Sequence, residues 1–350
     1  MSVRADNRVL WVDAARGAGI VLVTFGHVWR GLDGAGLIPD VSLFRSVDAA
    51  IYLFHMPLFF FVSGLFFEQS VRRAGIVPSL WQRVETLLYP LFIWSWVTAG
   101  FLIFAGSLTN RPPISLTEAL LYPFAPKDIF WFLWSLFFIQ TLASLFATAR
   151  TVHVLALFVG SFALLPVLEI LPVPQLELVT DNLPFFLAGV LLTRRGNIRF
   201  GLGAASGPVA LLAFIACEVW AAYNWSLLGT APGYALGLIA TLSFCAFIAW
   251  GASLAPAWIL APMSFLGRAS IAIYVTHVIP LAATRIILVK LGIGSLPVHI
   301  VLGTVAGVAP GALLYVLLKR WALLRWFGLG RGRTKAAGRP SPPSGEPQPA

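Results

Sequence analysis

Apolar stretches of about 20 residues, separated by short polar turns, fill the chain from position 12 to position 318. That is the length a helix needs to cross the hydrocarbon core of a bilayer. Ten such stretches can be laid out: Val12–Trp29, Ala49–Phe67, Thr86–Gly106, Ile129–Thr148, Val152–Leu171, Leu183–Thr193, Pro208–Asn224, Gly233–Leu254, Ala269–Gly292 and Val298–Leu318. The pattern predicts an all-α fold, a polytopic bundle of about ten transmembrane helices. The tenth stretch carries Gly303, Gly307 and Gly311 at four-residue spacing, a face suited to close helix packing. After Leu329 the apolar pattern stops and Gly, Pro, Ser and Arg take over. The division expected is a membrane domain over residues 1–329 and a disordered, basic, Pro/Gly-rich cytoplasmic tail over 330–350. The basic part of that tail can rest on anionic lipid. No second folded domain and no repeat of 20–50 residues is expected.

Composition strengthens the membrane reading. Hydrophobic residues make up 59% of the 350 and charged residues 11%, against about 25% charge in a soluble protein. A water-exposed surface cannot be covered with so few charges, which excludes soluble Rossmann, barrel and disulfide-scaffold folds. The net charge of +10 would suggest nucleic acid as the partner of a soluble domain. In a membrane protein it reflects the gathering of Lys and Arg on the cytoplasmic side, so no nucleic-acid partner is expected. With the N-terminus inside, 18 basic residues fall on the cytoplasmic side and 6 (Arg30, Arg45, Arg111, Lys127, Arg285 and Lys290) on the other. That asymmetry puts both termini in the cytoplasm. Cys217 and Cys245 lie inside apolar stretches, without disulfide or metal-ligand spacing, and no metal is expected. The first apolar stretch contains Asp13 and Arg16 and has no small-residue cleavage site after it, so no removable leader is expected.

Ionisable side chains inside such helices are expensive and mark function. The first helix holds Asp13, Arg16 and His27. Asp13 and Arg16 are three apart and can pair on one face. Arg16 and His27 are eleven apart, about three turns and about 16 Å of rise, on nearly the same azimuth. A topogenic arginine and a packed histidine are the alternative account of that pair. His55 opens the run His55-Met56-Pro57-Leu58-Phe59-Phe60-Phe61-Val62-Ser63-Gly64, near the level of His27 by topology. Arg83 precedes the third stretch at the cytoplasmic surface. In the ninth, Ser270, Tyr274 and His277 are spaced four and three, a polar stripe suited to lining a cavity. Glu218 is a further mid-membrane carboxyl.

Two histidines near one depth and a helix-borne arginine suit acyl transfer. Histidine accepts the proton of an attacking hydroxyl near neutral pH, and arginine binds the phosphates of a carrier bidentately. The same residues also suit a proton-coupled transporter or a flippase of small polar or lipid-linked substrates, and residue chemistry alone leaves both open.

The run Arg8, Trp11-Val12-Asp13-Ala14-Ala15-Arg16-Gly17 and Gly26-His27 resembles the opening of the membrane-bound acyltransferase 3 family, whose first helix carries an Arg and a His with ten residues between them. The His55–Gly64 run looks like the family's second-helix motif. Arg83 and Pro90 stand where the family has a basic, Pro-containing approach to helix three. Phe265-Leu266-Gly267-Arg268-Ala269-Ser270 with Ile273-Tyr274 and His277 is similar to its late motif. Two positions depart from the pattern: Thr86 where members often have a second Arg, and Gln140 where many have Glu after Trp134-Ser135-Leu136. The resemblance implies a bacterial inner-membrane O-acetyltransferase that moves an acyl group from acetyl-CoA or another acyl-CoA to a hydroxyl of a carbohydrate or glycolipid acceptor. It implies catalytic roles for His27, Arg16, Asp13 and His55. It implies donor contacts from Arg16, Arg83, Ser270, Tyr274 and His277. The hydrolase-like domain fused to some members is not expected here.

Overall fold

The computed structural model describes residues 3–105, 114–124, 128–170, 174–194 and 205–330. The expected tail lies, but for Gly330, outside these residues. In chain order the α-helices are α1 (Val3–Asp33), α2 (Val41–Ala74), α3 (Ile76–Arg83), α4 (Tyr89–Ala105), α5 (Leu116–Leu121), α6 (Trp131–Ser144) and α7 (Thr151–Ile170). They continue with α8 (Pro174–Thr180), α9 (Leu183–Arg194), α10 (Ser206–Tyr223), α11 (Ala231–Leu254), α12 (Ala257–Thr276), α13 (Val278–Lys290) and α14 (Leu296–Arg320). Among the described residues there is no strand. Seven stretches there are long and apolar enough to cross a membrane, and the helices of 128–144 and 151–165 are shorter apolar ones. The chain is a multi-pass membrane protein. The seven do not include α1, the helix that carries Asp13, Arg16 and His27.

α1 and α2 begin earlier than the expected stretches, at Val3 and Val41, and the ninth stretch is wrongly bounded. The ninth stretch, Ala269–Gly292, is not one helix: α12 starts twelve residues earlier, at Ala257, and the chain breaks at His277 before α13. Pro280 supplies the reason. It has no N–H to offer the Thr276 carbonyl one turn back. His277 thus sits at a joint between helices.

Lipid is as apolar as leucine, so helices in a bilayer associate through close packing of small residues. α1 and the α12–α13 pair run parallel, each residue of α1 beside the one 254 positions later. The Leu10 carbonyl accepts from Ser264 Oγ at 3.2 Å, and the Gly31 carbonyl accepts from Arg285 Nη1 at 2.8 Å. Gly17 and Gly267 allow this seam. A Cβ on Gly17 would stand 1.9 Å from the Met263 carbonyl oxygen, and one on Gly267 1.8 Å from that of Asp13. α2 runs antiparallel to α1, with Gly19 against Leu58 and Phe59 and Gly26 against Ile51 and Tyr52. α14 is antiparallel to α1 as well: Gly303 meets Val28, Gly307 meets Thr24, and Gly311 meets Ile273. The three-glycine face is thus a packing face. On its other side α2 packs α9, α10 and α11, again through glycine, a Cβ on Gly64 falling 2.1 Å from the Phe186 carbonyl oxygen.

These registers bring the start of α1, the end of α2 and the end of α14 to one end of the bundle. Arg72, Arg73, Lys319 and Arg320 close their helices there and make it the basic end of the bundle.

Candidate functional site

α1 is enclosed by α2, α11, α12 and α14, so Asp13, Arg16 and His27 face protein, while Arg30 near its end is exposed. Arg16 is half-buried and its Nη2 donates to Ser270 Oγ of α12 at 3.1 Å. Asp13 does not pair with Arg16. Its nearest basic partner is Arg268 at 3.7 Å, because the seam sets α12, rather than the next turn of α1, against it. Three turns further along, the His27 ring lies 5.0 Å from that of His277, centroid to centroid.

Two cavities lie on this side of α1. The first, about 350 Å³, faces the basic end and is lined by Arg16, Ser63, Thr86, Gln140 and Ser270 among apolar residues. The second, about 360 Å³, faces the opposite end and is lined by His27, His55, Arg30, Tyr52, Asp128, Trp131 and Arg285, among others. Met56 and Tyr274 belong to both walls. Of the residues singled out by sequence, Arg16 and Ser270 thus meet in one cavity, and His27 and His55 in the other, with Tyr274 between. Asp13, Arg83 and His277 line neither: Asp13 and Arg83 support the first cavity from behind, and His277 backs His27.

The histidines are held in defined tautomers. Nδ1 of His277 lies 2.7 Å from the Tyr274 carbonyl oxygen and 3.2 Å from that of Ile273. Such carbonyls only accept, so Nδ1 carries the proton and Nε2 offers a lone pair. That Nε2 is buried without a hydrogen-bond partner among the described residues. His55 is fixed in the same way, Nδ1 being 2.5 Å from the Ile51 carbonyl oxygen, and its ring stands edge-on to Tyr52 at 4.4 Å. Tyr52 is in turn covered by the Arg30 guanidinium, 3.3 Å from its ring centroid. A bidentate bond to Asp48, at 2.6 and 2.8 Å, holds Arg30 there.

Residues 9–316 match the model of the family described as an acyltransferase domain, the acyltransferase 3 family. The chain belongs to that family. It is 29% identical over 216 residues to the nodulation protein NolL of Sinorhizobium fredii (strain NBRC 101917 / NGR234), a match covering 55% of this chain and 51% of the relative. It is 33% identical over 142 residues to the nodulation protein NolL of Mesorhizobium japonicum (strain LMG 29417 / CECT 9101 / MAFF 303099), covering 38% and 34%. The matches thus span about half the length of the first relative and a third of the second. No solved structure matches the chain.

In this acyltransferase-family chain the two sequence departures acquire a physical account. Arg83 is buried, stacks over the Phe67 ring at 4.9 Å and donates from Nε to Gln140 Oε1 at 2.7 Å. Gln140 therefore accepts as a glutamate would, but without a charge, and leaves the arginine's positive charge uncancelled by it. Thr86 lies in a π-helical turn, Val84–Leu88, that ends where the Tyr89 amide donates to the Val84 carbonyl. Such turns gather at functional sites, and here one puts Thr86 and Leu87 on the first cavity's wall. Glu218 lines neither cavity, and its Oε1 has no hydrogen-bond partner among the described residues. No pattern in the sequence pointed to the Arg30–Asp48–Tyr52 group or the Arg83–Gln140 bond. Arg30 and Asp48 were visible as charges near helix ends, but nothing local showed that they meet. The segment after α14 was also missed as part of the site. It returns over α4, with the Trp326 carbonyl accepting from Tyr89 Oη and the Phe327 carbonyl from Trp94 Nε1. Gly328 and Leu329 then close the first cavity at the basic end.

Proposed function

We propose that this chain is an O-acyltransferase of a bacterial inner membrane. It takes an acyl group, acetyl in the first instance, from acyl-CoA arriving at the basic end and delivers it to a carbohydrate or glycolipid hydroxyl in the second cavity. One observation carries the reading: two cavities stand in line along α1, with an arginine in the first and two histidines in the second. The basic end is then the cytoplasmic one, in keeping with the positive-inside bias. Arg16, held by Ser270, offers the donor a planar cation at the inner limit of the first cavity. The second cavity suits a sugar, with Trp131 as a flat apolar face and Tyr52, Asp128 and Arg30 as polar groups.

The chemistry follows from the histidines. The acceptor hydroxyl attacks the thioester carbonyl carbon and its proton passes to His27, the general base. The C–O bond forms, the C–S bond breaks, and the thiolate leaves as the free thiol after protonation. His277, with its Nε2 lone pair beside the His27 ring, is the group able to share the proton taken up. Asp13 does not touch the reacting atoms in this scheme; it positions α12 through Arg268.

The test is mass spectrometry of surface glycans from cells with the full chain, without it, and with His27→Ala. The expected result is acylated glycan only with the wild type, and at least about a 100-fold loss of transfer in the variant at equal expression. Near-normal acylation by His27→Ala rejects the role of His27, and identical glycans with and without the chain reject the function.

A further inference from the structure

The two cavities do not merge. They share Met56 and Tyr274 in their walls, and both side chains are buried, at 7% and 6% exposure. Two independent helix registers place these residues at one level. Tyr274, by the 254-residue offset that joins Arg16 to Ser270 and Gly31 to Arg285, stands beside Ile20. Met56, by the antiparallel contacts of Gly19 with Leu58 and Gly26 with Ile51, comes level with Val21. At 1.5 Å per residue that level is about 6 Å past Arg16 and about 10 Å short of His27. A barrier thus crosses the line from the arginine to the histidine.

We infer that Met56 and Tyr274 form a gate between the donor and acceptor chambers and set the length of acyl chain that passes; this rests on the acyl-transfer reading above. The acyl end of the donor must lead through the gap before its thioester carbon reaches His27. The walls of the gap are bulky and apolar: Ile20 and Val23 on α1, and Phe132 with its ring 5.5 Å from that of Tyr274. Each gate residue sits beside a weak point of its helix. Met56 precedes Pro57 within α2, and Tyr274 lies just before the joint at His277. Methionine, unbranched and adaptable, gives way to a thin group at little cost. While closed, the pair keeps the thioester from water in the second chamber, which couples donor cleavage to the presence of an acceptor.

The experiment uses the full chain in lipid vesicles with acetyl-, butyryl- and hexanoyl-CoA, reading thiol release. The wild type should prefer acetyl. Met56→Ala should raise the butyryl-to-acetyl ratio of kcat/KM by about tenfold or more, the scale on which an apolar pocket discriminates methylene groups. Tyr274→Leu should raise thiol release without an acceptor. Unchanged ratio and unchanged release in the two variants, with acetyl-CoA still used, overturn the gate. If Met56→Ala fails to fold, Met56→Cys in a Cys217→Ser, Cys245→Ser background replaces it. Methyl methanethiosulfonate should then slow acetyl-CoA use less than benzyl methanethiosulfonate does, and equal effects refute the gate. A wild type that uses no acyl-CoA defeats the acyl-transfer reading itself, and does so before any variant is compared.

Discussion

Replacing Gly267 by alanine tests the α1–α12 seam on which the proposed donor site depends. The new Cβ would stand 1.8 Å from the Asp13 carbonyl oxygen, against 3.4 Å for an ordinary contact. The obstacle is backbone, so no change of rotamer relieves it. α12 must move away from α1 by the missing distance, about 1.6 Å, at a cost typical of overpacking, about 1–3 kcal/mol. Ser270 lies one turn further on, and its 3.1 Å bond from Arg16 would lengthen to about 4.7 Å, beyond hydrogen-bonding range. A hydrogen bond to a charged group contributes about 1.5–3 kcal/mol, which converts to a loss of roughly ten- to a hundredfold in donor affinity. The assay is thermal unfolding of the purified protein together with acetyl-CoA calorimetry. Gly267→Ala should lower Tm and weaken binding by at least tenfold. Gly100→Ala, where a Cβ meets nothing within 4 Å, should lower neither, since alanine favours a helix interior. Unaltered Tm and affinity in Gly267→Ala would refute both the close approach and the use of Arg16 in donor binding.

Arg16→Lys keeps the charge but loses the planar fork, so acetyl-CoA should bind about tenfold more weakly while Tm holds; equal affinity by calorimetry removes Arg16 from the donor site. Gln140→Glu should turn the 2.7 Å bond to Arg83 into an ion pair and cancel one positive charge behind the first cavity. Donor affinity should fall several-fold at low ionic strength and less at high, and a salt-independent affinity equal to wild type contradicts a role for that charge. Asp40 caps α2, and hydrogen bonds from the Leu43 amide, the Ser42 hydroxyl and the Ser42 amide hold its carboxyl below the usual carboxylate value. Its contribution is complete above the ordinary carboxylate pKa and is lost as pH falls through the lowered value. Hydrogen exchange at Ser42 and Leu43, corrected for intrinsic rates, should lose protection in that acid range and in Asp40→Ala at neutral pH; equal protection in that variant shows that the cap does not matter.

The helices were largely legible because a bilayer demands backbone satisfied within each segment and an apolar surface around it. Long apolar runs therefore announce themselves. The run at the ninth position deceived because apolar residues continue from Ala257 through Leu291, and composition alone does not show where such a run is cut. Pro280 was the available signal, one turn beyond Thr276. The polar residues of α1 were legible for the opposite reason, that charge in such a helix is costly. Their partners were not. Asp13 and Arg16 satisfy the local rule for a three-apart pair, yet tertiary packing joins Asp13 to Arg268 and Arg16 to Ser270. No periodicity within α1 encodes which residue lies 254 positions away. Gly17 and Gly267 carried a signal for close approach, two glycines in the helices that hold the polar motifs, but glycine is common in membrane helices and the pairing appears only in the fold.

α1 carries three ionisable side chains and is packed by α2, α11, α12, α13 and α14, and the two facts have one cause. A helix bearing Asp13, Arg16 and His27 is poorly tolerated by lipid, so the neighbours that shield it become a condition of the fold. Gly17, Gly19 and Gly26 let them come close. Enclosure then gives the site a fixed internal scale. Along one continuous hydrogen-bonded helix the separation of Arg16 from His27 is set at about 16 Å, whatever the surrounding helices do. The facing wall is built the other way, with Pro57 inside α2, a π-helical turn before α4 and a break between α12 and α13. Three interruptions of regular backbone bonding therefore surround the cavities on the sides away from α1. A donor entering from the basic end would meet a rigid spacing on one side and yielding walls on the other, so any opening between the chambers must come from α2 and α12, the helices that carry Met56 and Tyr274.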